Sequence, residues 1–182
     1  MKLMDSLQNS LDKLQSKKEN ALADPVVSLY EIPVTGLNGE PLDMEQFKGK
    51  HLLIVNVASR CGFTKQYKAM EAVYQEHGEQ LAMLGMPCNQ FAGQEPGNAE
   101  EIQAFCDRHF GVSFPLSEKV KVKGPEQHPV YSWLTKAEQN GRMDTKVKWN
   151  FQKYLIDPEG RLVDVFYSVT APDSSKILRH LN

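Results

Sequence analysis

Cys61 is the residue of this chain best placed to do chemistry. It follows an apolar run, Leu52 to Ala58, and precedes Gly62, Phe63 and Thr64. An apolar strand, a short turn and then a helix put a side chain at the carboxyl edge of a sheet, where open α/β sheets form their clefts. A helix starting beside the sulfur would offer unpaired amides and its positive dipole end, which favours thiolate over thiol. No second cysteine lies two or three positions away. Local dithiol exchange is therefore disfavoured, and a lone thiolate attacking an electrophile fits better.

Two other segments carry side chains suited to that chemistry. Pro87 to Gly97 follows a second apolar run and so opens at the same sheet edge; it offers the amides Gln90 and Gln94 and, on this reading, no general base. Lys148-Trp149-Asn150-Phe151 sets an indole beside an amide at the start of another strand. Amide and indole N–H groups are neutral donors that do not titrate. Such donors are needed. A thiol of ordinary pKa is about 3% thiolate at pH 7. Complete ionisation therefore gains only roughly 30-fold, and the remainder must come from stabilising a departing hydroxide or alkoxide.

The elements that must hold these residues alternate along the chain. Val26 to Val34 and the stretch after Asn38-Gly39 read as a hairpin, because Asn-Gly is a strong tight-turn signal. Leu52 to Ala58 has the continuous apolar character of a buried central strand. Tyr67, Met70, Val73, Tyr74 and His77 mark one helix face, with Thr64 as its expected N-cap and Gly78 as its stop. Leu81 to Met86 reads as a strand parallel to the first. Asn98 to Phe110 reads as a helix capped by Asn98, with Glu100 and Glu101 in its first turn. Pro129 to Thr135 is a short helix. Trp149 to Ile156 and Leu162 to Tyr167 flank the turn residues Asp157 to Gly160 and form a second hairpin. Asp173 to Leu181 is a closing helix. The sum is an α/β, thioredoxin-like sandwich with an N-terminal β-hairpin.

Residues 1–23 differ from the rest. Leu3, Leu7, Leu11 and Leu14 recur at helical spacing, and Asp24-Pro25 interrupts the pattern. The expected organisation is an amphipathic helical extension over 1–23 and one domain over 24–182. The 182 residues, 41% hydrophobic and 24% charged, suit one folded domain, and a formal net charge of -2 gives no field that would favour nucleic acid. No apolar run is long enough to cross a membrane, and polar residues interrupt the N-terminus where a signal peptide would be apolar. Three dispersed cysteines make neither a disulfide framework nor a zinc-type pair. The cytoplasm is the default expectation, with no metal and no cofactor.

Three segments, Asn56 to Gly62, Pro87 to Gly97 and Trp149-Asn150-Phe151, resemble in order the signature motifs of the glutathione peroxidase family. The likeness runs from about Val26 to the C-terminus and leaves 1–23 outside. It implies a thiol peroxidase acting on hydrogen peroxide and organic or lipid hydroperoxides. By the same resemblance Cys61 is the peroxidatic residue, and Gln94, Trp149 and Asn150 complete a catalytic tetrad. Cys88 is structural, and Cys106 matches the resolving cysteine of the thioredoxin-dependent branch. The short span between Trp133 and Trp149 resembles the compact branch, monomeric or a small oligomer, reduced by thioredoxin in preference to glutathione. A disulfide needs Cα atoms within about 7 Å. Cys106 lies mid-helix, so the Asn98 to Phe110 helix is expected to unwind locally during turnover. A peroxide sensor relaying oxidation to a partner protein would use the same residues.

Overall fold

Residues 51–57, His-Leu-Leu-Ile-Val-Asn-Val, form the strand around which the molecule is built, and all but His51 are buried. The computed structural model describes residues 24–181. The expected helix over 1–23 lies outside the described residues. In chain order the strands are β1 (Val34–Thr35), β2 (Pro41–Leu42), β3 (His51–Val57), β4 (Leu81–Pro87), β5 (Lys153–Ile156) and β6 (Leu162–Phe166). The helices are α1 (Gln66–His77), α2 (Ala99–Phe110), α3 (Pro129–Thr135), α4 (Ala137–Asn140) and α5 (Ser175–Leu178).

The central sheet has the order β4-β3-β5-β6. β3 pairs parallel with β4 and antiparallel with β5, and β5 pairs antiparallel with β6. Alternation along β3 feeds two core layers. Leu52 and Ile54 join Leu84, Met86 and Tyr154 under Tyr131, Trp133 and Leu134 of α3. Leu53, Val55 and Val57 join Met83 and Leu155 beneath Met70 and Val73 of α1 and Ile102 of α2. Cys61 and Cys106 pack in this second layer, and Cys88 packs in the first.

The N-terminal hairpin exists but is smaller than the sequence suggests. Only Val34–Thr35 and Pro41–Leu42 pair, across a turn in which Gly39 has φ +82. Leu29–Glu31 is a 3-10 turn instead of strand, with Leu29 and Tyr30 turned into the core. Strand β5 likewise begins at Lys153 rather than Trp149, and the closing helix covers only Ser175–Leu178 before a 3-10 turn over Arg179–Leu181. The last two shortenings have a polar cause. Asn150 and Ser174 spend hydrogen bonds on loop or cap contacts that a continuing strand or helix would not allow.

Candidate active site

The turn after β3 sets the position of Cys61. Thr64 does not cap α1 as its type suggested; the N-cap position is Lys65, without a side-chain bond. The Thr64 hydroxyl instead accepts from the Cys61 amide at 2.9 Å and donates to the Ala58 carbonyl at 2.7 Å. The Thr64 amide donates to the Cys61 carbonyl at 3.0 Å. The sulfur therefore hangs from a tightly tied loop. Its hydrogen-bond donor is the Phe63 amide, at 3.4 Å. Because α1 begins only at Gln66, an amide of the turn, and not the first turn of the helix, serves the thiol.

The segment after β4 runs beside this turn, since β3 and β4 are parallel and end together. The Arg60 amide donates to the Gln94 carbonyl at 3.0 Å, fastening the two loops. Ala92 and Gly93 both have positive φ, 54° and 62°, and turn the chain so that Gln94 lies at the edge. The Gln94 side-chain oxygen accepts from Asn150 Nδ2 at 2.9 Å.

Asn150 is fully buried and comes from the turn before β5. Three contacts hold that turn. Asn56, a buried amide on β3, donates to the Trp149 carbonyl at 3.0 Å and accepts from the Gln152 amide at 3.1 Å. The Ser168 hydroxyl donates to the Asn150 carbonyl at 2.6 Å. Phe151 adopts φ 61°, an uncommon conformation for an aromatic residue, and its buried ring meets Tyr67 edge-on at 5.5 Å. Trp149 stays 38% exposed, with its ring 5.5 Å from that of Phe91. The structure thus brings Gln94 and Asn150 together beside the Cys61 turn, with Trp149 next to Asn150 in the chain and its ring against Phe91. Cys106 stands apart on α2, fully buried, where burial pushes its thiol up to about 11.

Two residues escaped the sequence reading. Glu95, in the loop thought to lack a base, is only 1% exposed, and burial raises its carboxyl above the ordinary range. Lys153 is fully buried in β5, and burial alone pushes its ammonium down to about 7. An acid and a base within apolar surroundings were the available signals, but burial is a property of the fold and not of residue type. Cys88 packs against Gln90, whose amide donates to its sulfur at 3.4 Å. Among the described residues no group of three or more His, Cys, Asp or Glu side chains is placed to hold a metal ion.

Comparison with known proteins decides the lineage of this arrangement. The family model described as glutathione peroxidase matches residues 29–135. The chain belongs to the glutathione peroxidase family. It is 46% identical over 154 residues to the glutathione peroxidase-like peroxiredoxin GPX5 of Chlamydomonas reinhardtii, covering 84% of this chain and 93% of the relative. It is 44% identical over 154 residues to the hydroperoxy fatty acid reductase gpx1 of Synechocystis, covering 80% of this chain and 90% of that one. Among solved structures, the apo form of Trgpx superposes with a TM-score of 0.67 at 35% identity, over 86% of this chain and 96% of its own. A thioredoxin-family thiol:disulfide interchange protein from Chlorobium tepidum shares the fold, with a TM-score of 0.56 at 16% identity over 89% of this chain and 95% of its own. As a family member this protein is a thiol-dependent peroxidase on a thioredoxin-like fold.

Proposed function

We propose that Cys61 is the peroxidatic residue, that Gln94, Trp149 and Asn150 are its donors, and that Cys106 resolves the oxidised form. The observation that carries this reading is the Asn150 to Gln94 hydrogen bond, next to the backbone bond that ties Gln94 to Arg60. It links donors from two distant segments at the edge where Cys61 sits. In the first step the Cys61 thiolate attacks one peroxide oxygen and the O–O bond breaks. Cys61 becomes a sulfenic acid, and the other oxygen leaves as water or alcohol after taking a proton. Neutral N–H donors stabilise the negative charge on the departing oxygen without competing for that proton.

Cys106 shares a core layer with Cys61, whereas Cys88 lies on the opposite face of the sheet. That favours Cys106 as the partner in a disulfide. The pairing requires α2 to open around Cys106, since the residue is buried in an intact helix. Thioredoxin is the favoured reductant, because an intramolecular disulfide is its natural substrate; glutathione is the alternative. Lipid and organic hydroperoxides belong with hydrogen peroxide among the substrates, as the name of the Synechocystis relative implies for that protein. The protein acts in the cytoplasm as a monomer or small oligomer, with 1–23 as an extension to the catalytic domain.

The test is peroxide-dependent NADPH consumption, coupled in parallel to thioredoxin with its reductase and to glutathione with its reductase. Cys61→Ser is expected to lose turnover with both, and Cys106→Ser to lose it with thioredoxin. Glutathione-supported turnover that survives Cys106→Ser, with none supported by thioredoxin, would return Cys106 to a structural role.

A further inference from the structure

Glu95 is an acidic side chain that the peroxide step above does not use. It is buried, and among the described residues neither carboxylate oxygen has a partner in good hydrogen-bond geometry, although the Ser59 hydroxyl and amide lie close enough to hold its pKa down. A carboxyl left so is costly to fold. It lines a cavity of about 420 Å³ together with Ser59 and Arg60, the two residues before Cys61, and Ile102 and Phe105 of α2. The Ser59 hydroxyl is also buried without a partner. Cys106 lies one helical turn beyond Ile102 on the same buried face. The cavity therefore separates the loop that carries Cys61 from the helix that carries Cys106, and its wall holds an uncommitted acid. Glu101 shares the wall, but its carboxylate accepts from the Asn98 amide at 2.8 Å and closes the helix cap.

We infer that Glu95 is the proton carrier of the resolving step, taking the thiol proton of Cys106 and handing it to the hydroxyl that leaves Cys61. The S–H bond of Cys106 breaks as its proton passes to the carboxylate. The S–S bond forms while the S–O bond of the Cys61 sulfenic acid breaks, and the departing hydroxide takes the proton from Glu95 and leaves as water. The Cys61 sulfur is reduced and the Cys106 sulfur oxidised, so no outside oxidant or reductant enters. Glu95 ends as it began. The inference rests on the Cys61–Cys106 disulfide proposed above.

The need for such a carrier follows from burial. With its thiol pushed up to about 11, Cys106 does not ionise unaided near neutral pH. Burial raises Glu95 above the usual carboxylate range, the direction that makes an acid a better proton carrier near neutral pH. The Ser59 hydroxyl and amide and the positive charges of Lys119 and Arg60 act in the opposite sense and favour the carboxylate. The other titratable groups around it are Glu101 across the cavity and Tyr67, Cys88 and Cys106, each of which is raised by its charge or shares its wall.

The experiment mixes the reduced full-length protein with equimolar hydrogen peroxide and quenches at intervals. Dimedone adducts report the sulfenic acid, and intact mass reports the disulfide. Glu95→Gln is expected to form the sulfenic acid at the wild-type rate, which also certifies its fold, and to form the disulfide roughly 10²-fold more slowly. It should accumulate the dimedone adduct as Cys106→Ser does. The wild-type resolving rate should rise with pH as Glu95 ionises, and Glu95→Gln should lose that limb. A disulfide formed at the wild-type rate with an unchanged pH profile overturns the inference while leaving Cys106 as the resolving residue. Loss of both steps in Glu95→Gln overturns it too, by assigning Glu95 to the frame of the site. A wild-type protein that forms no Cys61–Cys106 bridge removes the resolving reading itself, and this inference with it.

Discussion

Lys153 shows how much chemistry one residue can conceal. Its ammonium donates to Gln66 Oε1 at 2.6 Å and to the Phe151 carbonyl at 2.7 Å, and it lies 3.5 Å from the Ser168 carbonyl. All three partners are neutral oxygens, so no carboxylate offsets the cost of burying the charge. Each belongs to a different piece of the site: the start of α1, the turn bearing Asn150, and the loop after β6. Its pKa falls from the ordinary lysine value to about 7. Between about pH 7 and 10.5 the unfolded chain therefore holds a proton that the folded one has lost, and stability rises with pH across that window. Below pH 7 both states are charged and the folded one bears the full desolvation cost, of several kcal/mol at most. Urea unfolding from pH 6 to 10 should show this rise in wild type and a flatter profile in Lys153→Met; equal slopes in the two proteins would contradict it. The same residue marks a limit of sequence reading. Cys61, Gln94 and Asn150 could be singled out as candidates because residue type and segment order were enough. Lys153 and Glu95 could not, because a charged residue reads as solvated until the fold buries it. The Phe151 φ of 61° was equally hidden, since no glycine or asparagine announced it.

At the scale of elements, α2 is closed at both ends, by side chains at its start and by a glycine at its end. Asn98 and Glu101 form a reciprocal capping box, with bonds of 2.9 and 2.8 Å, so the N-terminus is firmly closed. The C-terminus depends on Gly111 at φ 59°, whose amide donates to the Asp107 and Cys106 carbonyls. The cap therefore holds the backbone of the residue that, on the proposed mechanism, must come free. A side chain at Gly111 would meet nothing within 4 Å, so its cost is conformational alone. Gly111→Ala should destabilise the folded, reduced protein by about 1 kcal/mol. If the unwound state escapes that penalty, disulfide formation should quicken by up to roughly 5-fold, with sulfenic acid formation unchanged. Stopped-flow tryptophan fluorescence after a peroxide pulse would separate the two phases; an unchanged second phase in a measurably destabilised variant would mean that α2 does not open at this end. Helix α2 was legible in outline because Asn98 and the 3.6-residue pattern are local signals. Its proposed opening was also expected from sequence, because a mid-helix Cys106 cannot reach Cys61 without it. The N-terminal hairpin was legible but overextended: Val26 to Val34 is rich in strand formers, yet tertiary packing of Leu29 and Tyr30 makes Leu29–Glu31 a 3-10 segment and leaves Val34 to pair.

The whole molecule sets its own boundary, and it lies earlier than the first regular element. Val26 and Val27 are exposed side chains, at 74% and 41%, and by composition they could pass for linker. Their backbone says otherwise. The amides of both donate to the Gln139 carbonyl of α4, at 3.0 and 3.3 Å. The Val27 carbonyl accepts the indole N–H of Trp133 at 2.7 Å. Trp133 is fully buried and anchors α3 against the sheet, so this bond satisfies a donor with no access to water. Residues 24–27 thus close one core layer even though they join no strand. Removing 1–23 should leave both thermal stability and peroxide turnover at the level of the full chain. Removing 1–27 should leave the Trp133 N–H unsatisfied and cost about 1–3 kcal/mol, seen as a lower midpoint in urea with turnover retained in its absence. A loss of turnover already on removing 1–23 would instead assign those residues to the working enzyme.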